Sequence, residues 1–324
     1  SSGGAGRVTA EWMINGYMNE DLYSLDIKRF QKFHSSKKFI MNRVTETLGD
    51  LYDMHWPYKQ HKTSRDQRLL PYHEELKKAG ACFGQSGEYE RPMWYALGET
   101  KPNYQYSFNH QNWYPSVEQE CKNTTENVGL FELTPFSKYE IRGEKAYEEL
   151  QRLCTANIKN EIGKCTYTHM LNEGGGIETD LTVVCIDKNH FRIISSAAVR
   201  THDKAHILKH LSSDVEFKDI TDDLVCLGVF GPKSRELLSK ICKDDLSNEN
   251  FKFGYGKNIT LNSVNIWAQR LSYVGELGFE LYIKNKDAKE IYNSIITTGE
   301  EFKLSHCGAH AMDTMRMESG FLHW

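Results

Sequence analysis

Two acids sit in surroundings suited to chemistry. The first is Asp180, within LNEGGGIETDLTVV at residues 171–184. Three consecutive glycines free the backbone for positive φ, which predicts a tight turn feeding a strand. Asp180 then ends the loop and Leu181 starts an apolar strand, placing a carboxylate at the mouth of the core. Partly desolvated, it can accept a proton or hold a cationic group. The bland alternative is a turn aspartate bonded to its own backbone. The second acid is Glu280, within RLSYVGELGFELYI at residues 270–283. Two apolar strands flank GELG, which reads as a hairpin. Phe279, Leu281 and Ile283 share one strand face, and Glu280 and Tyr282 share the other. A partly solvated carboxylate there wants two donors, which the edge of a flat amino-heterocycle offers in parallel. The alternative is an exposed acid on a two-faced antiparallel sheet.

Other chemistry is scarce. GAHAMDTMRMESG at residues 308–320 puts Ala309, Met312 and Met315 on one helix face, which reads as core packing. His306 and His310 lie four apart with no third ligand at metal spacing, so no metal site is expected. The chain holds no G-x-S-x-G elbow, no P-loop and no cysteine with a diagnostic flank. GGAG at residues 3–6 reads as a turn before a helix that ends near Gly16, although such glycines also suit close backbone approach to an anionic ligand. Lys59, Lys62, Arg65 and Arg68 form a basic cluster, ordinarily a solvated face.

The acids need a scaffold. Strands are expected at 136–141, 181–186, 191–195 and 268–272, and helices at 145–153 and 234–241. This mixture predicts an α+β fold with two helix-plus-sheet halves. Residues 96–114 are polar and aperiodic and read as a linker. The chain has 324 residues, and at roughly 150 residues per domain two domains are expected. A formal net charge of -4 argues against nucleic-acid binding driven by bulk positive charge. The eight cysteines show no C-x2-C spacing, and those in apolar runs read as buried free thiols. No apolar run approaches the roughly 20 residues that cross a bilayer, so no membrane role is expected.

The ordered series SSGGAGR, DLYSLDIKRF, Arg65-x2-Arg68-x2-Pro71-x3-Glu75, GEYERPMWY, GLFELTPFSKYEIRG, TYTHMLNEGGGIETDLTVV, VFGPKSRELL, RLSYVGELGFELYI and GAHAMDTMRMESGFLHW resembles sarcosine and dimethylglycine dehydrogenases and dimethylglycine oxidase. From about residue 115 it also resembles the glycine-cleavage T-protein, an aminomethyltransferase. The resemblance implies a T-protein-like folate-binding fold at 115–324 without its terminal barrel. A linker at 96–114 would precede it, then a small central domain at 30–95 and the tail of an FAD-dependent oxidoreductase domain at 1–29. The chain is thus expected to be cut at both ends. By motif, Asp180 would stand at the reacting nitrogens of tetrahydrofolate and Glu280 would hold the pterin edge. Tyr273 would be a pocket tyrosine, Tyr167 and Met170 pocket walls, and Arg316 and Glu318 structural or rim residues. Gly3, Gly4 and Gly6 would belong to a flavin-contacting loop.

The implied parent protein oxidises an N-methyl amine on FAD. Its one-carbon unit passes to tetrahydrofolate as 5,10-methylenetetrahydrofolate, with an electron-transfer protein as a further partner. The resemblance places it in the bacterial cytoplasm or the mitochondrial matrix. A regulatory protein like the pyruvate dehydrogenase phosphatase regulatory subunit, and a folate-dependent methyltransferase, are the alternatives it leaves open.

Overall fold

The computed structural model describes residues 2–324 except Asn19, Asp21, Glu88 and His323. Helices α1 (Ser2–Asn15), α2 (Lys37–Asp50) and α3 (His73–Lys78) lead to a hairpin of β1 (Ala81–Ser86) and β2 (Tyr89–Tyr95). Then come α4 (Tyr114–Glu126), β3 (Val128–Glu132), β4 (Ser137–Arg142), α5 (Ala146–Leu153), β5 (Cys165–Leu171), β6 (Ile177–Asp187), β7 (His190–Ser195) and α6 (Arg200–His210). The remainder is β8 (Glu216–Asp219), β9 (Leu224–Phe230), α7 (Ser234–Ile241), β10 (Gly256–Leu261), β11 (Val264–Gln269), β12 (Gly278–Lys284), α8 (Asn285–Gly299), β13 (Leu304–Cys307) and α9 (Ala309–Glu318).

Two sheets carry the fold, in the α+β arrangement expected. One runs β10-β11-β12-β9-β3-β13, antiparallel except for the β3–β13 pair. The other runs β5-β6-β7-β4-β8 and is antiparallel throughout. Strand alternation sorts the side chains into three apolar layers. Phe279, Leu281 and Ile283 of β12 join one core with α7 and α8. Leu181, Val183 and Cys185 of β6 join another with α5. Between them lies a middle layer that takes Cys165 and Val184 from one sheet, Cys226 and Tyr282 from the other, and Met312 from α9. The two sheets therefore face each other across a shared seam.

Several expectations change. GGAG is not a turn, since α1 runs through it and Gly16 caps the helix at φ 78°. The strand expected at 268–272 ends at Gln269, so the connection to β12 is an eight-residue loop and not a tight GELG turn. Asp180 is not at the end of a loop, because β6 begins at Ile177. The basic cluster is a solvated face only at the exposed Lys62: Lys59 pairs with Asp50 and Asp53, Arg65 binds the buried Glu90, and Arg68 pairs with Asp222 and lies over the Tyr89 ring. Finally, no core boundary falls at residue 95. Leu70, Tyr72, Leu76, Ala81, Tyr89 and Tyr95 pack in the α7–α8 core, and Tyr72 stacks on Tyr292 at 4.5 Å. All eight cysteines are free thiols, six of them buried.

A charged knot ties α6 to β6. His202 Nε2 lies 3.0 Å from Glu178 and its Nδ1 3.3 Å from the fully buried Asp203. Burial alone would lower the His202 pKa, but hydrogen bonds and attraction to both acids raise it to about 9. A histidine whose folded pKa exceeds its unfolded value of about 6.5 stabilises fully below that value. The contribution is lost as pH rises through about 9. The gap in melting temperature between the parent and H202Q should therefore narrow from pH 6 to pH 10. A gap constant across that window would refute the ionic role.

Candidate functional site

Asp180 and Glu280 converge on one cavity of about 470 Å³, the size of a small-molecule site, in the seam between the sheets. Asp180 and Thr182 project from the seam face of β6, opposite the face that carries Leu181 and Val183. The turn feeding that strand is built by Asn172, whose Oδ1 accepts from Gly174 N at 3.0 Å and Gly176 N at 2.9 Å. Gly175 within it has φ 82°, a conformation only glycine adopts without strain. Across the hairpin, Tyr167 OH donates to Asp180 Oδ2 at 2.9 Å. Burial, and then this bond, push the Tyr167 pKa up to about 12, so the phenol stays a donor at neutral pH.

Glu280 comes from the other sheet. β11 and β12 pair it directly with Gln269, so both side chains share the seam face. Tyr282 OH donates to Glu280 Oε2 at 2.8 Å. Burial raises the Glu280 pKa, while the Tyr282 bond and the charge of Lys138 oppose it. Lys138 is fully buried and donates to the carbonyls of Thr134 and Phe136 at 2.8 and 2.9 Å. Glu280 thus has acceptor capacity to spare, which a ligand with two parallel donors would satisfy while favouring its charged form.

Tyr273 lines the same cavity from the β11–β12 loop and stacks on Phe321 at 6.0 Å. Burial raises its pKa. Arg316 Nε donates to Asp313 Oδ1 at 2.7 Å, steadying a carboxylate on the cavity wall, whereas Glu318 is exposed. Met170 is not a pocket wall. Alternation along β5 puts it on the face opposite Tyr167, fully buried in the α5 core. Gly3, Gly4 and Gly6 lie on an exposed helix, with open space where a Cβ would project.

Sequence reasoning missed Arg91, Gln269 and Met312 as cavity residues. Gln269 lies one residue before the quoted hairpin motif and directly opposite Glu280, so strand pairing would have found it. Arg91 stands inside GEYERPMWY, but nothing local shows that β2 reaches the seam. His306 and His310 are no metal pair in their packing: His306 meets Tyr292 OH at 2.6 Å and His310 meets Tyr104 OH at 2.9 Å. Glu46, Asp50 and His61 lie close enough to share an ion. Glu46 is already engaged by the backbone N–H groups of Lys62 and Thr63, and Asp50 by Lys59.

Comparison with known proteins agrees with this architecture. Residues 72–324 match the GCVT N-terminal domain family, and residues 15–69 match the FAD dependent oxidoreductase central domain. The 4-methylaminobutanoate oxidase (formaldehyde-forming) of Paenarthrobacter nicotinovorans is 37% identical over 99% of this chain and 39% of its own length. The mitochondrial dimethylglycine dehydrogenase of Rattus norvegicus is 30% identical over 100% of this chain and 38% of its own. The mitochondrial pyruvate dehydrogenase phosphatase regulatory subunit of Mus musculus is 30% identical over 99% and 38%. The chain thus spans well under half of these relatives. The aminomethyltransferase T of the Bartonella henselae glycine cleavage system shares the fold, with a TM-score of 0.65 and 24% identity over 79% of this chain and 63% of that one. No described helix is long and apolar enough to cross a membrane. The chain belongs to the GCVT N-terminal domain family, joined to an FAD dependent oxidoreductase central domain, and its relatives are members of the sarcosine and dimethylglycine dehydrogenase family.

Proposed function

We propose that this chain is the folate-binding portion of an FAD-dependent N-demethylating amine dehydrogenase of the sarcosine or dimethylglycine type. It would pass the one-carbon unit to tetrahydrofolate, giving 5,10-methylenetetrahydrofolate. The observation that carries this reading is the convergence of Asp180 and Glu280 on one cavity from two different sheets. A pteridine bound there would present its paired ring and amino N–H groups to Glu280. The tyrosines Tyr167, Tyr273 and Tyr282 would give it flat apolar surface.

Bound tetrahydrofolate supplies the nitrogens that take up the one-carbon unit. The chain's own part is to hold and to move protons. Glu280 fixes the ring's orientation, a positioning effect worth several kcal/mol in a bimolecular step. Asp180 accepts a proton from nitrogen and stabilises positive charge beside it. The Tyr167 hydroxyl, 2.9 Å from Asp180 Oδ2, keeps that carboxylate aimed into the cavity. FAD would belong to the oxidoreductase half, with Gly3, Gly4 and Gly6 contributing to its contact surface, and an electron-transfer protein would be its partner.

Asp180→Asn is expected to leave melting temperature and tetrahydrofolate affinity near the parent values. In the enzyme carrying both halves it should slow methylene transfer on the order of 100-fold. Unchanged transfer kinetics would remove Asp180 from the mechanism. The similarity to a phosphatase regulatory subunit favours a second reading, a non-catalytic folate sensor. That reading predicts tetrahydrofolate binding with no transfer in parent and variant alike.

A further inference from the structure

Among the described residues, Arg91 has no counter-ion within salt-bridge distance. It projects from β2 into the cavity wall beside Phe136 and Met312. Its nearest polar contact is weak, one guanidinium N–H reaching Met312 Sδ at 3.8 Å. Its Nε is buried and has no hydrogen-bond partner. No described carboxylate lies within 4.0 Å of the guanidinium, whereas the neighbouring arginines are paired: Arg65 with Glu90, Arg68 with Asp222, Arg316 with Asp313. The two acids that approach it are committed elsewhere. Glu132 accepts from Tyr72 OH at 2.5 Å and from Thr134 N at 2.7 Å, and Asp313 is held by Arg316 at 2.7 Å. Burial lowers the Arg91 pKa to about 10, so the folded protein carries the cost of this charge with little return.

A guanidinium is a planar fork of donors that matches a carboxylate in two parallel bonds. Buried charges are ordinarily paired, and an unpaired one facing a ligand-sized cavity implies a partner that arrives with the ligand. We propose that Arg91 is the carboxylate-binding residue of the cavity. Resting on the folate reading, two sources share that chemistry: the glutamyl tail of the reduced folate, and the acid group of a carboxylated N-methyl amine delivered for transfer. The residue comes from the hairpin preceding α4, so carboxylate recognition is assigned to a segment separate from the strands that carry Asp180 and Glu280.

The test compares the parent chain with R91Q and R91K by calorimetry. The probes are tetrahydrofolate, 6-methyltetrahydropterin (which lacks the glutamyl tail), N-methylglycine and its methyl ester. A loss of about 10- to 100-fold in tetrahydrofolate affinity in R91Q, with 6-methyltetrahydropterin unaffected, assigns Arg91 to the glutamyl tail. A loss confined to N-methylglycine, whose ester binds poorly even to the parent, assigns it to the amine's acid group. R91K should recover part of either loss, because it keeps the charge and gives up the fork. Equal weakening of tetrahydrofolate and 6-methyltetrahydropterin would place Arg91 on the ring and overturn the proposal. So would unchanged binding of every carboxylate, or a ligand-free R91Q that melts well below the parent, which would make Arg91 a structural cation. If the parent fails to bind tetrahydrofolate but binds N-methylglycine through Arg91, the folate reading fails and the carboxylate site stands.

Discussion

Glu280→Gln should weaken tetrahydrofolate binding by about 100-fold or more, measured by calorimetric titration. An ionised carboxylate accepts two donors at once, and each charge-assisted bond contributes about 1.5–3 kcal/mol. The amide keeps the size and one acceptor, but turns an N–H₂ group toward a ligand donor. The ligand-free fold should tolerate the change, because Glu280 is raised in pKa by burial and forms no ion pair with a described residue. Melting temperature of the empty variant is therefore expected to equal or exceed that of the parent. The same reasoning sets a pH signature. Burial favours the protonated form of the Glu280 carboxyl and a two-donor ligand favours the ionised form, so ligand binding and proton release are linked at this residue. Tetrahydrofolate binding should thus release protons, seen as a dependence of binding enthalpy on buffer ionisation, and E280Q should release fewer. Equal affinities in parent and E280Q would end the assignment of Glu280 to the ring edge.

Gly308→Ala is expected to cost about 3 kcal/mol or more of stability, read as a fall in melting temperature. A Cβ at Gly308 would overlap Met93 O and Trp94 N, both backbone atoms that cannot swing aside. The glycine marks a crossing point. Its N–H donates to Glu120 Oε2 at 2.8 Å, and Glu120 Oε1 accepts from Tyr95 N at 2.7 Å. One buried carboxylate on α4 therefore clamps β2 to the start of α9. Displacing this joint would shift Met312 and Arg91 in the cavity wall, so ligand affinity should fall along with stability. A G308A variant that melts with the parent would show that the two segments can part without cost.

Much of the scaffold was legible because its signals are local. The alternation in GFELYIK gave the strand and the face of Glu280, since a period of two leaves no other choice, whereas the apolar run LTVV gave β6 but not its start, so that Asp180 read as a loop residue. The same rule, applied to β5, would have rejected Met170: three positions from Tyr167 is an odd step and lands on the other face. Helices α5 and α7 were clear from apolar spacing on amphipathic segments. What stayed hidden depends on distant partners. Arg65 and Arg68 looked solvated because Glu90 and Asp222 lie 25 and more positions away. The hairpin at 81–95 looked separable because nothing in its own residues reveals that Tyr72 meets Tyr292. Arg91 was silent for the same reason, since the lack of a partner is visible only once every candidate acid has been placed.

The cavity lies where two sheets meet, and its two principal acids hang from different ones. Neither hairpin by itself can therefore recognise anything; the spacing between the carboxylates is a property of how the halves dock. A bound molecule gripped from both sides acts as a rivet across that joint. Substitutions far from the cavity that let the sheets slide would blunt recognition while leaving each half folded.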